Sequence, residues 1–326
     1  MSRSLTHLAA SIVLSTFVSQ SSAQDAGNWA WRTARPVPEA RSEVSVAGDG
    51  RFIYLLGGFA APVPGADRPA APTDAFRYDP AADSWDRLAP LPEGVNHAGL
   101  AALDGKLFVI GGYREATFEP TAAVRILDLA TGEWGNGASL PTARGALAVA
   151  MLDGRIHAIG GHDGTRSLGT HEVYDPATDR WSEAAPLGHP RNHHAAVAMA
   201  GILHVFGGRN EATAEMTATE AFDPATGRWR AAAAMPTGRS GIAAAVLDGR
   251  AFVFGGETFG SGRKTFDEAE SYDPRADSWT TLPPLPTARH GLGAATVGGR
   301  IHVLSGGPRA GFSYSAAHEY LERRPP

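Results

Sequence analysis

Short apolar runs alternate with polar, glycine-containing turns along nearly the whole chain, and the stretch from Trp134 to Trp181 shows the pattern in full. Gly145 to Leu152 is small and apolar, Asp153-Gly154 follows, and Arg155 to Ile159 is a second run ending at Gly160-Gly161. Runs of this length between turn residues predict strands, and Asp-Gly between two of them predicts a two-residue hairpin. Thr170 to Tyr174 predicts a third strand. Asp175-Pro176 and Thr178 turn the chain into a fourth, which carries Trp181. The glycine doublet marks backbone geometry, or a close approach, that a Cβ would block.

This four-strand unit repeats. Tryptophans stand at 31, 85, 134, 181, 229 and 279, and a doublet follows each at a fixed 26 residues: Gly57-Gly58, Gly111-Gly112, Gly160-Gly161, Gly207-Gly208, Gly255-Gly256 and, with serine first, Ser305-Gly306. Tyr78-Asp79, Leu127-Asp128, Tyr174-Asp175, Phe222-Asp223 and Tyr272-Asp273 come next, each with a tryptophan six residues past the Asp. Asp104-Gly105, Ala200-Gly201, Asp248-Gly249 and Gly298-Gly299 occupy the hairpin place, and Asp49-Gly50 lies one position early. A period near 50 with these marks in phase resembles the kelch family, from about residue 29 to residue 322. The resemblance implies an all-β, six-bladed β-propeller, in which a ring of blades buries sheet faces that a single blade leaves bare.

Half a unit is left over at each end. Trp31 has no upstream strands of its own, and Glu319-Tyr320-Leu321-Glu322 resembles a third strand with no tryptophan after it. The segment around Trp29 to Ala34 is therefore expected to supply the fourth strand of the blade built from roughly 289 to 322, which leaves no open edge. The six phased tryptophans read as packing between blades. Trp29 stands outside the pattern.

Composition narrows the function. The net charge of −5 gives no reason to expect nucleic acid or an anionic membrane surface as partner. With no cysteine, disulfides, thiolate metal sites and cysteine nucleophiles are excluded together. Arg3, the apolar run Leu8 to Val18 and Ser21-Ser22-Ala23 predict an export signal cleaved after Ala23, too short to span a bilayer. Residues 24–326 are expected to form a single propeller, soluble, periplasmic or secreted, monomeric and without a membrane span.

The kelch resemblance places ligands at one mouth of the central channel, reached by the segments before each first strand and after each doublet. Two sets of positions follow. Ten residues after each tryptophan stand Arg41, Val95, Arg144, Arg191, Arg239 and Arg289, followed by Ser42, Asn96, Gly145, Asn192, Ser240 and His290, then by Glu43, His97, Ala146, His193, Gly241 and Gly291. Five arginines at one phase offer planar, bidentate recognition of carboxylate or phosphate. Glu172, Glu220, Glu270 and Glu319 also share a phase, so the alternative is a set of ion pairs within the scaffold. After the doublets come Phe59, Tyr113, His162, Arg209, Glu257 and Gly307, different in every unit, as recognition loops are. The long loop from Phe59 to Arg77 reads equally as a lid or as a surface excursion.

His97, His193 and His290 raise a metal question. Three blades of a six-bladed ring are expected to hold them apart, and no acidic partner of fixed spacing is evident, so no metal set and no cofactor are assigned. His157, His204 and His302 share a phase with Tyr54, Phe108 and Phe252 and read as second-strand packing. The ligand-binding candidates are Arg41, Asn96, His97, Tyr113, Arg144, His162, Arg191, Asn192, His193, Arg209, Arg239, Glu257, Arg289 and His290. The function read from them is a non-enzymatic binding module for an acidic or polar small molecule or a protein partner. The alternative, implied by the resemblance, is a carbohydrate epimerase like the sialic-acid mutarotase propellers. A galactose oxidase-like copper site needs a tyrosine cross-linked to cysteine, which this chain cannot form.

Overall fold

A computed structural model describes residues 28–260 and 262–324, and the export signal expected over residues 1–23 lies outside them. Six four-stranded antiparallel sheets form a propeller, with no helix among the described residues. In the blade read above, the strands are Ala148–Leu152, Arg155–Ile159, His171–Asp175 and Arg180–Ala184, hydrogen-bonded in chain order. The first strands of successive blades lie against one another, and the sixth returns to the first. Six strands converging on one axis leave room for little more than a methyl. Ala148, Ala150, Ala195, Ala243, Ala245 and Ala295 are buried there, and a Cβ added at Gly99 or Gly293 would sit 2.1 Å from a side-chain atom of the neighbouring blade.

The hairpin expectation holds at Asp104-Gly105, Asp153-Gly154, Ala200-Gly201, Asp248-Gly249 and Gly298-Gly299, where both central residues have positive φ, as a type I′ turn requires. The early turn at Asp49-Gly50 is built differently: the Asp49 carboxylate accepts from the Arg51 and Phe52 amides.

The ring closes as the half units require. Trp29–Thr33 pairs antiparallel with His318–Arg323, and Trp31 faces Leu321 in the register in which Trp181 faces Tyr174. Each phased tryptophan reaches the preceding blade with its indole N–H, Trp181 to the Ala138 carbonyl at 2.8 Å and Trp31 to Pro283 at 2.9 Å. Trp29, outside the repeat, is buried and meets the Phe252 ring edge-on at 5.1 Å, so it seals the same seam. Among the described residues no helix is long and apolar enough to cross a membrane.

Candidate functional site

The two sets of positions read from the sequence face each other. Ser42 pairs with Phe59 and Asn96 with Tyr113, while single bridges join Gly145 to His162, Asn192 to Arg209, Ser240 to Glu257 and His290 to Gly307. Gly145 stands alone at its phase because the Tyr113 ring covers it; a Cβ there would lie 2.5 Å from that ring.

The next position in each unit builds a belt around the channel. Glu43, His97, Ala146, His193, Gly241 and Gly291 all have φ between 52° and 65°. Each amide donates to the carbonyl of the belt residue in the neighbouring blade: Glu43 to Gly291 at 2.7 Å, Gly291 to Gly241 at 2.9 Å, Gly241 to His193 at 2.8 Å, His193 to Ala146 at 3.0 Å, Ala146 to His97 at 2.9 Å and His97 to Glu43 at 3.3 Å. The ring of six bonds is closed. Left-handed backbone is costly for residues with a Cβ, so four such residues together are held there by their surroundings. At Gly291 a Cβ would lie 2.5 Å from the Glu43 carboxyl, so the glycine makes room for that side chain.

Above the belt lies a cavity of about 250 Å³. Its floor is Glu43, His97, His193, Arg209, Glu257 and His290; its wall and lip include Phe59, Phe118, Phe259, Arg263 and Phe312. Phe118 and Phe312 are 56% and 58% exposed, an apolar rim on an otherwise polar mouth. A second cavity, sharing Phe118, His193 and Arg209, takes in Tyr113, His162 and Asn192. The structure thus gathers His97, Tyr113, His162, Asn192, His193, Arg209, Glu257 and His290 at one mouth, with Asn96 directly behind His97.

The arginine ring is elsewhere. Arg41, Arg144, Arg191, Arg239 and Arg289 are fully buried, at 0% exposure. Arg144 donates to Glu172 at 2.5 Å and Arg191 to Glu220 at 2.5 Å; Arg239 and Arg289 are paired in the same way with Glu270 and Glu319. Arg41 takes Glu39 at 2.6 Å instead. Each also donates to the carbonyl of the first doublet residue, Arg144 to Gly160 at 2.7 Å for example, and so staples the doublet. The expectation of ligand contact by these five is corrected: their donors are spent inside the blades. Unit two shows the exchange, with Val95 in the arginine place, Arg125 in the glutamate place and Glu93 as its partner at 2.8 Å.

The separation expected of the histidines is also corrected. The His97 and His193 ring centroids are 4.8 Å apart, because both side chains spring from a narrow belt on either side of Ala146, whose methyl leaves the space between them open. The acid expected to be missing is Glu43, at their own phase. Its carboxyl is pushed up to about 8 by burial and by the nearby Glu257, with Arg209 opposing. Burial, then the Arg209 charge, pulls His97 down to about 3 and His193 well below its usual value; burial also lowers His290. Burial thus favours a protonated carboxyl at Glu43 and neutral imidazoles at His97, His193 and His290. Phe118, Phe259, Arg263 and Phe312 escaped the sequence reading because they sit in loops outside the repeat's phase. Their one signal was a phenylalanine set in each of these otherwise polar loops, with Phe266 a second one in the loop that carries Phe259.

A family model described as the KLHDC2/KLHL20/DRC7 Kelch-repeats domain matches residues 67–233 and 185–321. Kelch-like protein 34 of Homo sapiens is 29% identical over 204 residues, 59% of this chain and 31% of that protein. Kelch-like protein terF of Aspergillus terreus is 29% identical over 202 residues, 57% of this chain and 43% of that one. The chain thus spans less than half the length of these relatives. A solved structure titled "Structure of YjhT" superposes with a TM-score of 0.73 at 18% identity, covering 89% of this chain and 97% of the other, which shows a shared fold.

Proposed function

The chain belongs to the kelch-repeat family, and from that premise we propose that it is an exported binding module that holds an acidic ligand in the channel mouth. One observation carries this reading. The guanidinium groups of Arg209 and Arg263 both lie 5.1 Å from the centroid of the Phe259 ring, inside the same cavity. Arg209 is already paired with Glu257 at 2.8 Å, whereas Arg263 has no carboxylate partner among the described residues. Two cations flanking one ring suit a carboxylate on a small polar body. Phe59, Phe118 and Phe312 supply an apolar face for the rest of the ligand, whether a sugar acid or the acidic end of a protein partner.

A thermal-shift screen with sialic acid, uronic acids and acidic peptides tests it. At least one anion should raise the melting temperature, and Arg263→Ala should remove most of that rise. No response to any anion, or a response that Arg263→Ala leaves intact, removes the reading. Export is tested by the mass of the mature protein, which should begin at Gln24.

A second reading is a carbohydrate epimerase of the mutarotase type. It is favoured by the carboxyl–imidazole pair on the floor, with Glu43 3.2 Å from Nε2 of His97, since opening a sugar ring needs an acid and a base within reach. Anomer exchange followed by proton NMR decides it: equal rates with parent protein and with Glu43→Gln leave only binding.

A further inference from the structure

The floor of the channel mouth collects more lone pairs than donors. Asn96 gives its amide hydrogens to carbonyls, Glu115 at 2.6 Å and Thr117 at 3.3 Å, so its Oδ1, 2.6 Å from Nδ1 of His97, accepts that ring's proton. Asn192 repeats the arrangement: its Nδ2 donates to the Ser167 hydroxyl at 2.7 Å and its Oδ1 lies 2.5 Å from Nδ1 of His193. The Gly307 carbonyl takes Nδ1 of His290 at 3.0 Å. All three imidazoles therefore turn an unprotonated Nε2 toward the channel.

Carboxylates meet them there. Nε2 of His97 is 3.2 Å from Glu43, and Nε2 of His290 is 3.4 Å from Glu43 and 3.5 Å from Glu257. Acceptor faces acceptor, an arrangement that is repulsive until a cation or a proton lies between. Arg209 answers part of it, donating to Nε2 of His193 at 2.9 Å and to Glu257 at 2.8 Å, and the Gly311 amide donates to Glu257 at 2.9 Å. Among the described residues no hydrogen-bond donor reaches either oxygen of Glu43.

We infer that Glu43, His97 and His193 form a binding site for a divalent first-row transition metal. Their ligand atoms lie within 4.8 Å of one another, a spread that bonds of about 2.0–2.2 Å close with small side-chain rotations. Two imidazoles and a carboxylate suit zinc, iron, manganese or copper rather than calcium or magnesium. An oxygen holding Nδ1–H is the arrangement that fixes a ligating imidazole. The belt fixes the three Cα positions by backbone bonds, so the backbone of the site is in place before the ion arrives. Arg209, partly exposed on its loop, gives up His193 on metal entry and keeps Glu257. His290 lies between Glu43 and Glu257 outside the three ligands, and the ion's open positions face the phenylalanine-lined cavity. The inference goes beyond the anion reading and competes with proton transfer for Glu43 and His97.

Cobalt(II) tests it directly. The full-length protein, stripped with a chelator and dialysed, should take up one equivalent of Co²⁺ with visible d–d absorption, and Zn²⁺ should displace it. His193→Ala should abolish the band, and Asn192→Leu, which leaves every ligand in place, should weaken Co²⁺ binding about 10–100-fold. His204→Phe, on a second strand among the Phe206 and Tyr272 rings and away from the mouth, should leave affinity unchanged. Each variant is first melted; should His193→Ala fail to fold, Glu43→Gln takes its place. No d–d band and no stoichiometric metal, or an affinity that neither the ligand variant nor Asn192→Leu changes, overturns the site.

Discussion

At the scale of single residues, the buried Arg–Glu pairs decide more than the mouth residues do. Arg239 donates to Glu270 and to the Thr237, Val253 and Gly255 carbonyls, and Glu270 is itself buried. Arg239→Ala leaves a carboxylate in the blade without its cation. Breaking such a pair costs about 3–5 kcal/mol, and urea unfolding should show a loss of that order. Arg239→Met with Glu270→Leu should recover part of it, because the desolvation of both charges goes with the pair. Gly291→Ala is the complementary test. At a φ of 57°, with the Glu43 carboxyl 2.5 Å from the new Cβ, it should cost about 1–3 kcal/mol and disturb any ligand or metal response that uses Glu43. The sequence announced both features without ranking them. Five arginines and four glutamates at fixed phases are equally a ring of ligand contacts or a set of pairs, and only their depth, which a period does not encode, chooses.

At the scale of elements, strands were legible and loops were not. A tryptophan 26 residues before a doublet and six after an Asp is a register, so even the split blade could be read from its halves. Its closing strand now makes a definite demand. Trp31→Ala removes an indole packed on Phe254 at 5.7 Å and frees the Pro283 carbonyl, at a cost of about 3–5 kcal/mol. Deleting residues 24–35 exposes the whole edge of His318–Arg323, and calorimetry should lose the single cooperative transition. A truncated protein that melts like the parent would mean the ring does not depend on that seam. The loops after the doublets differ in length and share no phase, so nothing in the repeat brought Phe118, Phe259 and Phe312 together. Glu43, His97 and His193 were visible at one phase of the repeat and His290 one place before it, but their convergence depends on how narrow the channel is at the belt.

At the scale of the whole molecule, proton linkage ties stability to neutral histidines far from the mouth. Burial holds His157, His204 and His318 down to about 4 and His171 and His302 down to about 3. His157 hydrogen-bonds His171 at 2.8 Å and His302 hydrogen-bonds His318 at 2.9 Å, ring nitrogen to ring nitrogen, so a second proton on either pair breaks a buried bond. The unfolded chain protonates these groups near the ordinary histidine value of 6.5 and the folded chain does not. Between that value and about 4 the unfolded state binds more protons, so stability is full above it and falls as the pH drops. Each histidine neutral in the fold and charged in the unfolded chain removes about 1.4 kcal/mol per pH unit. Glu43, raised rather than lowered, runs the other way, one group against these five and against His97, His193, His194 and His290, which burial also lowers. Urea midpoints should therefore decline steadily from pH 7 to pH 4. His204 separates this cause from general acid effects: it stands where other blades carry Tyr54, Phe108 and Phe252, against the Phe206 and Tyr272 rings. His204→Phe should keep the fold, hold stability at pH 7 within about 1.5 kcal/mol as a near volume-conserving change, and flatten the pH slope by close to one proton. An unchanged slope would move the acid sensitivity to the carboxylates and away from these rings.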